Sequence, residues 1–232
     1  MRLSAFSRNN ASSNGNVLFF LFSILCTLLL FTSQAPTALA APVSTAPSSN
    51  NNALDTLQLA ARDKHIPTKA QVEELIQPAH LHEFSQYAKR NQPPKDKAIF
   101  FTGQPQKAIN ELVKWANGQH LTSVRDIWKN ANFFQKGQYK EVDAATFTRF
   151  QQAFSKYYAQ QTTGTAYLVF PHDKIPAKTG IFYSVELPEI IAHGKVEEIV
   201  WIDQDRIHDK GYEWKTETKV YWKKGESKPA GA

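Results

Sequence analysis

Residues Gly180–Asp203 read GIFYSVELPEIIAHGKVEEIVWID, two apolar runs of which the first ends on a carboxylate, Glu186. Ile181, Phe182, Tyr183 and Val185 favour a strand, and Leu187-Pro188 ends it, because proline has no N–H to give to a ladder. The second run, Glu198–Asp203, carries Ile199, Val200, Trp201 and Ile202 without polar alternation, the pattern of a strand buried on both faces. Ligands of open α/β sheets bind outside the carboxyl ends of the strands, so Glu186 is the first candidate for chemistry. A glutamate closing a strand is also a common solvated edge residue, and position alone leaves both readings open.

Upstream, residues 1–40 combine Arg2 and Arg8, an apolar stretch Val17–Phe31 and the small-residue site Ala38-Leu39-Ala40, the signature of a secretory signal peptide. The apolar run is short for a membrane span, and an uncleaved signal anchor is the alternative. Cleavage after Ala40 leaves 192 of the 232 residues, enough for one domain. Cys26, the only cysteine, falls in the signal, so the mature chain, although exported, is held by packing without a disulfide. The removed segment holds two Arg and no acidic residue, which lowers the net charge from +6 to +4. That dispersed excess does not indicate a nucleic-acid partner, and no membrane partner is expected once the signal is gone.

Residues 41–66 are expected to be a disordered leader, which opens with APVSTAPSSNNN (41–52), a Pro/Ser/Asn-rich stretch with almost nothing to bury. The folded domain is expected over 67–223, followed by a flexible tail at 224–232. Thr68 and Gln71 make a capping-box pattern; Val72, Leu75 and Ile76 recur at helical spacing until Pro78, and Leu81, Phe84, Tyr87 and Ala88 resume it. His80-x-His82 places two imidazoles on different sides of a helix with no third ligand nearby, so no metal is expected. Lys97–Thr102 reads as a short aromatic strand ending at Gly103, and Pro105 opens a helix to Gly118. Ser123–Asn130 is a shorter helix or turn with Asp126 and Trp128. Asp143 or Thr146 caps a longer helix in which Phe147, Phe150, Phe154, Tyr157 and Tyr158 form an aromatic stripe, the mark of core or of a pocket wall for a flat ligand. Thr165–Phe170 is a further strand, and the strict alternation of Tyr212–Trp222 predicts a last one with one wet face. The fold class is therefore α/β: a helical N-terminal layer, then a small, mostly parallel four-stranded sheet with helices, plus a C-terminal antiparallel strand or hairpin.

The order of these elements and four short segments resemble the ADP-ribosyl cyclase and NAD glycohydrolase family. IFFTG (99–103), LTSVRD (121–126), FQQAFS (150–155) and FYSVE (182–186) fall where that family has an aromatic strand end, an acidic turn, an aromatic helix and a Ser-Val-Glu segment with the catalytic Glu. Phe101 stands at the family's first aromatic, Gln151 at a Trp, and Val124-Arg125 at an acidic pair, with Asp126 displaced from it. The resemblance implies a secreted, disulfide-free enzyme that hydrolyses or cyclises NAD. Glu186 is then the catalytic carboxylate. Phe101, Trp128 and Phe150 are implied as stacking surfaces, Thr102, Gly103 and Ser155 as contacts to phosphate or ribose oxygens, and Asp126, Gln151 and Phe182 as further substrate contacts. NAD is substrate, and no separate cofactor is called for. The replaced Trp and acidic pair support an alternative, a secreted nucleotide-binding or host-interaction protein that keeps the fold without catalysis.

Overall fold

The computed structural model describes residues 65–232 together with Arg62. Residues 1–40, expected as a signal peptide, lie outside the described residues, as does the expected leader (41–66) save Arg62, His65 and Ile66. The helical layer begins at α1 (Lys69–Leu75), where the Thr68 hydroxyl accepts the Gln71 N–H at 3.3 Å and the Gln71 side chain accepts the Thr68 N–H at 2.9 Å. Pro78 diverts the chain into a tight turn, Pro78–His80, before α2 (Leu81–Arg90). Val72, Leu75, Phe84 and Ala88 are sealed in the core with the aromatic face of α5 (Ala144–Gln161), whose first turn is capped by the Asp143 carboxylate on the Thr146 N–H at 2.9 Å. Trp128, at the end of α4 (Val124–Trp128), stacks on Tyr87 at 4.8 Å and meets Phe154 edge-on at 4.5 Å.

The sheet contains four strands in sequence order. β1 (Ile99–Phe101), β2 (Gly164–Phe170) and β3 (Val196–Asp203) run parallel, with Phe100 beside Leu168 and Leu168 beside Trp201; β4 (Lys219–Lys223) is antiparallel to β3. One face packs on the layer just described, and the other on α3 (Gln106–Gly118), where Leu112 and Ala116 join Ile99, Val169, Ile202 and Trp214. Both faces of the central strands are covered, as parallel pairing requires. Gly164 starts β2 at φ +74°, where a Cβ would lie 2.0 Å from the Asp96 carboxylate that accepts the Thr165 N–H.

Two expectations are corrected. Residues 181–186 are not a strand: Phe182–Glu186 is a π-helical turn leading into α6 (Leu187–His193), with Pro188 tolerated in the first turn. Phe182, Glu186 and Ile190 are buried while Ser184 is exposed, a four-residue recurrence that a strand, with 182, 184 and 186 on one face, would not give. The four strands thus include the antiparallel one. Tyr212–Thr218 is not strand either. The N–H groups of Thr216 and Glu217 both return to the Glu213 carbonyl, and Trp214 turns inward onto Trp115 and Tyr167, so the ladder starts only at Lys219. β3 is less buried than its composition suggests, with Glu197 exposed and Trp201 half-buried. The segment 224–232 carries no helix or strand but is tied down: Ala232 exchanges backbone bonds with Pro176 and Lys178, the Tyr183 hydroxyl donates to the Pro229 carbonyl at 2.9 Å, and Lys228 Nζ lies 3.8 Å from the Tyr183 ring centre.

Candidate active site

Glu186 occupies the junction between the π turn and α6, facing α5. Its side chain borders a cavity of about 270 Å³ walled by the end of β1 (Phe100, Phe101), Gln104, α3 (Ile109, Val113), the start of α4 (Ser123, Val124, Arg125), Phe134 and one flank of α5 (Gln151, Ser155, Tyr158). The residue is only 5% exposed, and burial pushes its carboxyl up to about 8; a hydrogen bond with the Ser155 side chain acts the other way by stabilising the charged form. Burial in the cavity wall thus favours the neutral, protonated form of the carboxyl over the charged one.

Tyr158 fixes the neighbouring walls. Its hydroxyl accepts the Ile99 N–H at 2.9 Å and donates to the Thr122 carbonyl at 2.6 Å, joining α5 to β1 and to the segment entering α4. Burial raises its pKa well above the ordinary phenol value, so the hydroxyl keeps its proton and serves as a structural bridge. Arg125 enters from α4. Its Nη1 donates to Asn110 Oδ1 at 2.5 Å, and its guanidinium lies 5.7 Å from the Phe134 ring centre. Desolvation lowers its pKa, with the Asp126 charge opposing that effect.

Of the residues singled out in the sequence, Glu186, Phe101, Gln151 and Ser155 meet at this cavity. Asp126 stands outside its wall: one carboxylate oxygen accepts the Ser123 N–H at 2.7 Å and hydroxyl at 2.6 Å, and the other accepts from Asn117 at 3.2 Å, which makes it the partner of the N-cap residue Ser123 in the capping box of α4. Thr102 is buried beside Gly180, where a Cβ would come 3.1 Å from the Thr102 hydroxyl oxygen. Gly103 turns the chain at φ +66° against the Phe170 ring. Trp128 and Phe150 lie in the aromatic core, and Phe182 packs on Phe100 and Tyr221, each at 5.8 Å; none of these three borders the cavity. Arg125 and Gln104 were not among the sequence candidates, and Tyr158 was read only as one ring of the aromatic stripe that could wall a pocket. For α5 a signal existed, since Gln151, Ser155 and Tyr158 follow at steps of four and three on one flank of the helix.

Among the described residues no group of three His, Cys, Asp or Glu side chains is placed to hold a metal, and no helix is long and apolar enough to cross a membrane. No protein-family model and no curated protein sequence matches the chain. Solved structures that are similar to the chain include ADP-ribosyl cyclases and CD38. Aplysia cyclase, complexed with the substrate NGD and the product cGDPR, is similar at 14% identity over 63% of this chain and 73% of its own, with a TM-score of 0.43. A CD38 structure is similar at 15% identity over 68% of each chain, with a TM-score of 0.38, and apo porcine CD38 at 15% over 62% of this chain and 66% of its own, with a TM-score of 0.36.

Proposed function

We propose that the protein is a secreted enzyme that cleaves the bond between nicotinamide and ribose in NAD, with Glu186 as its essential carboxylate. The observation that carries this reading is the placement of Glu186: a desolvated carboxyl, hydrogen-bonded by Ser155, facing a partly apolar cavity. When the glycosidic bond breaks, its electron pair leaves on the nicotinamide nitrogen and positive charge develops on the ribose. A fixed carboxylate in a low-dielectric site stabilises that charge far better than water-exposed acid would. Water then adds to the ribose carbon and gives up a proton, so that NAD and water yield ADP-ribose, nicotinamide and a proton. The cavity is at the small end of the range for ligand sites and suits one ring and its sugar, with the rest of the dinucleotide extending outward. Phe101 offers a ring face at the wall, while Ser155 and Gln151 offer polar contacts to the sugar. NAD is chosen over other ribosyl compounds because of the ordered sequence resemblance at 99–103, 121–126, 150–155 and 182–186. The decisive test is to incubate the purified mature protein with NAD and measure free nicotinamide and ADP-ribose. Their steady formation supports the reading, and their absence at high protein concentration overturns it.

A second reading has one observation in its favour. Arg125 lines the cavity where the resemblance places an acidic pair, and with Glu186 protonated the resting site suits capture of an anionic nucleotide without turnover. Binding of NAD without nicotinamide release would favour it.

A further inference from the structure

We infer that residues Lys228–Ala232 clasp the π turn and hold Glu186 in place, with Tyr183 and Lys228 as positioning residues that lie outside the cavity. Ile181, which precedes the turn, and Glu186, which ends it, border the cavity; the Tyr183 side chain between them does not, and is engaged by residues 228–232 instead. The backbone of the turn has a gap there. The Leu187 N–H bonds to the Phe182 carbonyl, five residues back, and in the same register the Tyr183 carbonyl would receive the N–H of residue 188, which is proline and has none. Lys228 Nζ donates to that carbonyl at 2.8 Å, and the same ammonium lies 3.8 Å from the Tyr183 ring centre. The Tyr183 hydroxyl donates to the Pro229 carbonyl at 2.9 Å, and Gly231 lies so close to the ring that a Cβ there would come 2.7 Å from Cε2. Ala232 is bonded to Pro176 and Lys178 in the loop that leads into the turn. Residues 228–232 thus supply the donor the turn lacks, close over its ring and fix its approach. Ile181–Val185 has the composition of a strand, so its own preference does not hold the helical path. A shift of the turn would carry Glu186 away from Ser155, and a misplacement of about 1 Å can cost on the order of a hundredfold in rate.

The effect on turnover rests on the NAD-cleaving reading, whereas the placement of Glu186 does not, and the two can be measured separately. Carbon-13 labelling of the glutamate carboxyls in the full chain, with the Glu186 signal identified by its loss in Glu186→Gln, follows the titration of that group by NMR. Gly231→Val wedges the clasp off the ring, and Lys228→Met removes the donor at an exposed position. Each should lower the Glu186 midpoint by about one pH unit or more, as water reaches the carboxyl, while Lys228→Arg should keep the wild-type value. In the same two variants kcat for nicotinamide release should fall about tenfold with KM within about twofold, because the weakened contact is one made in the transition state while the rest of the cavity wall stays; Lys228→Arg should keep most of the rate. Circular dichroism checks each fold, and Lys228→Met, the milder change, decides the matter if Gly231→Val does not fold. A midpoint unchanged in Lys228→Met overturns the inference, as does, in an active wild type, a kcat that is unchanged or a KM that rises in proportion to the loss. Nicotinamide release by the wild type with both readouts untouched in Lys228→Met would remove the clasp and leave the reaction standing. A lowered midpoint in a protein that releases no nicotinamide would keep the clasp and remove the reaction.

Discussion

The two flanks of α5 differ in kind although they are one residue apart in sequence. Phe147, Phe150 and Phe154 point into the aromatic core, where Phe150 and Phe154 are completely buried with Phe84, Trp128 and Phe133, while Gln151, Ser155 and Tyr158 wall the cavity beside Glu186. The first flank is redundant and dry, Phe150 and Phe154 each meeting several other rings; the second is sparse and polar, with Ser155 meeting Glu186 and Tyr158 bridging backbone. Aromatic density marked this helix in the sequence, yet of its five rings Tyr158 borders the cavity, together with Gln151 and Ser155 beside the stripe, while Phe147, Phe150 and Phe154 went to the core. A stripe dense in aromatics is best read as core, with the candidate chemistry one position to its side.

That contrast can be broken by substitution. Phe154→Ala should cost about 3–5 kcal/mol, as removal of a ring from a closed core does, whereas Gln151→Ala on the cavity flank should stay within about 0.5 kcal/mol. Urea unfolding of the two variants measures both, and equal losses would erase the distinction between the flanks.

A smaller, pH-dependent effect sharpens it. The folded-state pKa of Glu186, about 8, lies above its ordinary value of 4.5, so its contribution to stability is fully present below pH 4.5 and is lost as pH rises through about 8. Wild type should lose up to a few kcal/mol across that window by this route, and Glu186→Gln should lack this part of the slope and become the more stable of the two at pH 9. Parallel stability curves for the two proteins from pH 5 to 9 would mean that the carboxyl is not desolvated. Ser155→Ala should move the same transition upward by roughly half to one pH unit, because the hydrogen bond it removes favours the charged form. An unchanged or lowered midpoint would deny Ser155 that contact.

Much of the scaffold was legible. The Thr68–Gln71 box, Pro78, Pro105, Asp143 and the apolar strands at 99–101, 164–170 and 196–203 act locally, through caps, missing donors and β-branched side chains, and each marks its element. The misreadings have a common cause. Ile181–Val185 has strand-forming residues but is drawn into a helical path, with its Phe182 and Glu186 side chains buried against α5 and Tyr183 held by Pro229 and Lys228. Tyr212–Thr218 alternates like a strand but turns because Trp214 finds Trp115 and Tyr167, and because Glu217 accepts the Glu213 N–H and pairs with Arg206. Contacts between segments far apart in sequence decided both cases. Within the site, Glu186 stood out because it closes an apolar run. Arg125 did not, since its place in the wall depends on Asn110 and Phe134, neither of which carries a local signal.

Glu186 and Glu189 lie three residues apart and give the most direct test. Glu189 faces away from the cavity, accepting from Gln160 at 2.9 Å and lying 3.6 Å from Lys156 Nζ, whereas Glu186 is buried at the cavity. Nicotinamide release from NAD should fall by about two orders of magnitude or more in Glu186→Gln, with circular dichroism unchanged, and should be little altered in Glu189→Gln. Retention of wild-type turnover by Glu186→Gln would contradict the account.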